Sequence, residues 1–237
     1  MREKLKQYHR VSKDPAIVIL LILPVFLVYA FGQVWASPAA LAGVDVLSIY
    51  LRSTFDLSIY IGVQAVIALS GIAFAVYRLR GTLLPSFSQA LPAIAESAVY
   101  GLALGTIVLT LMEEAHLLSV AQQAADSSPA LLLDGWVAPA GAALHEEFLF
   151  RLLLIPILAL IGTRVFAMPQ SIALLSAAVG SSLIFAGAHH WIGGETYSNY
   201  AFAYRSVAGL LFAGLQIARG FAVSVWTHAV YDFYVTG

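Results

Sequence analysis

Eight ionisable side chains fall inside stretches that are otherwise apolar: His145, Glu146, Glu147 and Arg151, then His189 and His190, then His228 and Asp232. Charges in such a setting are costly and are kept for pairing or for chemistry. Glu147 and Arg151 are four residues apart, so on a helix they share a face and can pair, with the glutamate on the preferred N-terminal side. Glu146 is turned about 100° away on that helix. It has no partner there, so it must be protonated or find one on another helix. Phe185 and His189 are also four apart, which puts a ring under an imidazole. His228 and Asp232 repeat the spacing, and the aspartate can accept from one ring nitrogen and leave the other free. Together such residues offer a base, an acid and a charge stabiliser, which is what hydrolysis around one water needs. Taken singly, Glu146 carries transport or packing as readily as catalysis. Three such i, i+4 pairs in three apolar stretches exceed what packing explains.

The elements that must position these residues are membrane spans. Of 237 residues, 60% are hydrophobic and 11% charged, against roughly half and a quarter in a soluble domain. Mean hydropathy is +0.86. This excludes a soluble enzyme, a disordered chain and, with a net charge of −1, a nucleic-acid binder. The absence of cysteine excludes disulfides, thiolate zinc sites and cysteine nucleophiles. The expected fold is an all-α polytopic membrane protein of about seven transmembrane helices around a polar intramembrane cavity. The expected spans are Pro15–Ala36, Leu57–Tyr77, Ala93–Leu118, Trp136–Gly162, Gln170–Trp191, Ala201–Ala218 and Phe221–Thr236, each near the 20 residues a crossing needs. Pro38–Phe55 reads as an interfacial helix or a re-entrant piece, with an eighth span as the competing reading. The chain reads as one membrane domain, 1–237, whose motif-bearing core covers about 136–237.

Arg2, Lys4, Lys6, Arg10 and Lys13 precede the first span and should stay in the cytoplasm. Seven spans then also put Arg78, Arg80, Arg164 and Arg219 inside, with Arg52, Arg205 and the acidic Asp45, Asp56, Asp126, Asp134 and Glu195 outside. Trp136 and Trp191 fit interfacial belts. Glu113, Glu114 and His116 sit at a span end beside a polar loop and read as solvated, and His9 reads as part of the basic tail. His145-Glu146 opens like a zinc-binding H-E-x-x-H helix, but residue 149 is Leu149, so that motif fails. Ser181, Ser182, Ser224, Gly101 and Gly105 read as packing residues.

The ordered motifs Glu146-Glu147-x-x-x-Arg151, Phe185-x-x-x-His189 and His228-x-x-x-Asp232 resemble those of the CPBP family, the CAAX prenyl endopeptidases and bacteriocin-processing proteins also called Abi. The resemblance covers about the C-terminal 100 residues. It implies an all-α intramembrane protease of the glutamic type. By that resemblance Glu146 and His189 hold and activate water, His228 and Asp232 stabilise the oxyanion, and Glu147 and Arg151 support the first motif, with Phe185 beside His189. The last motif often ends in asparagine. An ionised Asp232 cannot donate to an oxyanion, so either it is protonated or His228 alone donates while Asp232 orients it.

No cofactor is expected. A zinc site of Glu146, His189 and His228 is the minor alternative. A non-catalytic immunity or binding protein on the same scaffold is one competing function, and a proton-coupled transporter is another. The transporter should carry inverted repeats, which the sequence lacks. The expected partners are the lipid bilayer and a membrane-associated protein substrate. With seven spans the motifs meet in the outer half of the plasma (inner) membrane, the N-terminus being cytoplasmic. That suits a C-terminal sorting tail, as in the myxosortase-like branch the family includes.

Overall fold

A computed structural model describes residues 2–35, 45–114, 134–192 and 196–236. Of the residues singled out above, His116, Asp126 and Glu195 lie outside the described residues. Among those described, every regular element is helical. An amphipathic helix, α1 (Arg2–Val11), precedes α2 (Pro15–Gly32). Asp14 starts α2 by accepting from the Ala16 N–H at 2.9 Å, and Pro15 occupies the first turn, where no N–H is needed. Then follow α3 (Val46–Thr54), α4 (Leu57–Arg78), α5 (Leu83–Ala90) and α6 (Pro92–Glu114). Next comes α7 (Asp134–Glu146), which runs through a π-helical stretch (Glu147–Leu154) into α8 (Ile155–Arg164). Finally come α9 (Gln170–Trp191), α10 (Asn199–Arg219) and α11 (Phe221–Thr236).

The protein is an all-α polytopic membrane protein. Among the described residues five helical runs are long and apolar enough to cross a bilayer: Pro15–Gly32, Leu57–Arg78, Leu83–Glu113, Gln170–Trp191 and Asn199–Arg219. Two expected spans differ from that description. The π stretch divides the one around Trp136–Gly162 into three segments. The last helix, with 16 residues, is about 24 Å long at 1.5 Å per residue. The described part of Pro38–Phe55 is α3, whose nine residues are too few to cross a hydrocarbon core about 30 Å thick.

The helices alternate in direction. At the N-terminal end, Lys13 donates to the carbonyl of Ala218 at 2.7 Å, and Arg78 lies 3.9 Å from Asp14. At the far end, the Trp136 ring stacks on Phe233 at 4.3 Å. Gly220, at φ +90°, reverses the chain between α10 and α11 with one residue, a conformation that favours glycine. The Gly101 and Gly105 pair serves packing. A Cβ on Gly101 would come within 2.8 Å of Val230, and one on Gly105 within 2.6 Å of Tyr234, so α6 lies flat against α11.

Three residues expected in solvated or neutral roles are bonded within the bundle, and two of them, Asp45 and Arg219, are buried. Asp45, expected in an outer loop, is 3% exposed because it caps α3 and reaches into the bundle. Arg219 forms a two-pronged ion pair with Glu96, and His9 lies against Arg219 through its Nδ1. His9 is therefore part of a packed cluster rather than a free tail.

Candidate active site

The π stretch begins between the two adjacent glutamates. Glu146 is the last residue of α7 and Glu147 the first of the wider turn. Such i→i+5 segments are rare and cluster at functional sites. This one is held from α9, where the Ser181 hydroxyl donates to the carbonyl of Phe150 at 2.5 Å. Ser181 therefore does more than pack.

The two glutamates diverge. Glu147 is fully buried. Its Oε1 lies 3.4 Å from Arg151 Nη1 and 2.8 Å from His228 Nδ1, and its Oε2 accepts from the Ser224 hydroxyl at 2.5 Å. Glu146 finds its partners on other helices. Oε1 stands 3.5 Å from His189 Nε2 on α9, and Oε2 stands 3.7 Å from His228 Nε2 on α11. Asp232 Oδ2 is 3.4 Å from the same Nε2. The structure thus brings together Glu146, His189, His228 and Asp232, with Glu147 and Arg151 behind them.

Ring contacts fix the imidazoles and the guanidinium. Phe185 meets His189 edge-on at 4.7 Å. It also presents its face to Arg151, whose Cζ is 4.2 Å from the ring centre. Phe150 and Phe212 add flanking rings at 5.9 and 5.8 Å, so the buried cation is held by one carboxylate and three aromatics. Phe212 also stacks on His228 at 4.5 Å.

The Nδ1 partners decide the hydrogen placement on both histidines. His189 Nδ1 faces the carbonyl of Phe185 at 2.9 Å, and a carbonyl only accepts, so that nitrogen carries the hydrogen. His228 Nδ1 faces Glu147 at 2.8 Å and donates likewise. Both Nε2 atoms are then aimed at one carboxylate, that of Glu146. This corrects the expected role of Asp232. It does not leave the other nitrogen of His228 free, because Glu147 occupies it. Asp232 instead shares the Nε2 side with Glu146.

Spacing alone could have pointed to Ser224, which lies four residues before His228 and so on the same face of α11. No local signal marks Phe212 or the π stretch. His190 belongs elsewhere, its ring 5.1 Å from Tyr197. His145 turns to the back of α7 and faces Asp45 at 3.3 Å. Among the described residues no group of three or more His, Asp or Glu side chains is placed to hold a metal ion.

Residues 128–234 match the model of a family described as type II CAAX prenyl endopeptidase Rce1-like. Over this stretch, a little under half of its length, the chain is similar to that family. No curated protein and no solved structure matches the chain. The Rce1-like match takes in every residue of the cluster just described and leaves α1 to α6 outside it. It places the chain, in general class, among membrane-embedded peptide hydrolases.

Proposed function

We propose that this protein is an intramembrane endopeptidase of the glutamic type that cleaves a peptide bond in a membrane-associated protein. One observation carries the reading: two histidines from separate helices, each with Nδ1 committed elsewhere, aim Nε2 at the two oxygens of Glu146. Water bound between Glu146 and His189 would lose a proton to the Glu146 carboxylate and add to the scissile carbonyl carbon. The oxyanion that forms takes a hydrogen bond from His228 Nε2–H. Because Nδ1–H is already given to Glu147, only the doubly protonated ring has that second donor. Glu146, Glu147 and Asp232 surround the ring and match its charge. Asp232 orients His228 and need not donate. Glu146 then passes its proton to the leaving amine as the C–N bond breaks.

Glu146→Gln tests this. The amide cannot take the proton, so cleavage should fall by about 10²–10⁴-fold while thermal stability changes little. Substrates are found by comparing membrane-protein termini in cells with and without the gene. Full turnover in Glu146→Gln would overturn the reading. The same assay run with a chelator weighs the zinc alternative. Activity should persist, whereas loss restored by added zinc would assign Glu146, His189 and His228 as ligands.

We further propose that the site faces away from the cytoplasm, in the plasma (inner) membrane, and takes a C-terminal sorting tail. Arg2, Lys4, Lys6, Arg10, Lys13, Arg78, Arg80, Arg164 and Arg219 gather at the N-terminal end, as a cytoplasmic face would. His189 lies two residues from the opposite end of α9, beside exposed Trp191. The chain has no cysteine, so Tyr197→Cys gives a single reporter at that end. An impermeant maleimide should label it in intact cells. Labelling only after permeabilisation would move the substrate to the cytosol.

A further inference from the structure

We propose that Asp45 and His145 are positioning residues for Glu146: a contact on the back of α7 sets where the front carboxylate stands. Asp45 lies outside the Rce1-like stretch, in the short segment before α3, yet its carboxylate is buried in the bundle. It accepts from the Tyr29 hydroxyl of α2 at 2.7 Å and from the Ser48 N–H at 3.0 Å. It meets His145 Nε2 at 3.3 Å. His145 in turn donates Nδ1–H to the carbonyl of Gly141 at 2.8 Å, which turns Nε2 toward Asp45. The Tyr29 ring lies 4.9 Å from the imidazole, nearly edge-on. Gly141 makes that approach possible, because a Cβ there would run into the Tyr29 ring. Helix α7, α2 and the start of α3 are thus built around one contact.

The contact sits where α7 needs it. His145 directly precedes Glu146, and the hydrogen-bond ladder changes from α to π at the next residue. At such a change the ladder fixes the rotation of the turn less firmly, so side-chain anchors decide it. Glu147 is anchored on one side by Arg151, Ser224 and His228. His145 is anchored on another by Asp45. Glu146 stands between the two, with its distances to His189 and His228 set by both. A misplacement of about 1 Å can cost on the order of 10²-fold in rate, so loosening one anchor should be felt at the site.

This inference rests on the reading of Glu146 as the base, and its test has one arm that needs no turnover. Histidine labelled with ¹⁵N in the full-length, detergent-solubilised protein reports the rings of His189 and His228 directly. Asp45→Ala should shift or broaden both signals and lower kcat by about tenfold or more, with KM nearly unchanged. Asp45→Asn should restore both. Its oxygen still accepts from Ser48, and its NH₂ can donate to Tyr29 and to His145 Nε2 with Nδ1–H kept in place. Arg219→Ala, at the opposite end of the bundle, controls for destabilisation alone and should leave both signals in place. Unchanged His189 and His228 signals in Asp45→Ala would overturn the proposal, as would an Asp45→Asn protein as impaired as Asp45→Ala. If the wild-type protein cleaves nothing, the protease reading fails, and the NMR arm still decides whether Asp45 positions the Glu146 cluster.

Discussion

Two clusters of buried charge lie at opposite ends of the bundle, and only one is left open. At the N-terminal end Arg219 grips Glu96 with two hydrogen bonds of 2.6 Å, a fork-to-fork pair. Tyr8 donates to the same carboxylate and His9 lies against the same guanidinium. Burial and the Glu96 carboxylate push the Tyr8 pKa well above its ordinary value, so Tyr8 remains a donor at any physiological pH. Every strong contact is short and spent. Around Glu146, by contrast, the separations to its histidines are 3.5 and 3.7 Å, and two ring nitrogens converge on one carboxylate. Burial and charge are common to both places. What separates them is the length of the contacts, which around Glu146 leave its two oxygens beyond close hydrogen-bond distance of both imidazoles.

Arg151→Ala should strike hardest, because Arg151 supports the open cluster from within. It strips the buried Glu147 of its guanidinium partner, at about 3–5 kcal/mol, and should also abolish turnover. Thermal melts and a cleavage assay check both, and a stable, fully active variant would erase the distinction drawn here. Arg219→Ala tests the closed cluster. Glu96 retains some solvent exposure and Tyr8 as a donor, so the loss should be smaller, about 1–3 kcal/mol. Turnover per folded molecule should be unchanged, and a fall in kcat would show that the two ends are coupled. Ser181→Ala is the mildest. It removes the hydroxyl that serves the Phe150 carbonyl and should cost about 1–2 kcal/mol. It should lower turnover several-fold if the π stretch positions Glu146, and an unaltered rate would show that the stretch holds itself.

Much of the open cluster was legible because its signals are local. A glutamate four residues before an arginine, or a histidine four before an aspartate, is visible as a helix-face pair before any fold is known. Their unsuitability for lipid set them apart further. What spacing alone could not give was the pairing of distant positions. Glu147 reaches His228 across 81 residues and Arg219 reaches Glu96 across 123, and no spacing rule announces such pairs. Asp45 and His9 look in sequence like residues of a loop and a tail, and only tertiary packing buries the first and draws the second against Arg219. The π stretch has no composition of its own, since Phe148, Leu149, Leu152 and Leu153 read as an ordinary apolar span.

That stretch also changes what a length mutation would mean in this helix. The segments before Glu147 and after Leu154 are set out of phase by the wider turn. Loss of a single residue there would let an uninterrupted α-ladder form with the faces downstream nearly in place, because an i→i+5 turn holds about one residue more than an α turn. Loss of a residue from α7 would instead swing everything downstream by about 100° about the axis, so that Arg151 and the whole of α8 would present different faces to their neighbours. The wide turn is therefore where this helix can give up a residue and keep its phase, whereas in α7 the residue count, as much as the residue types, is part of what assembles the site.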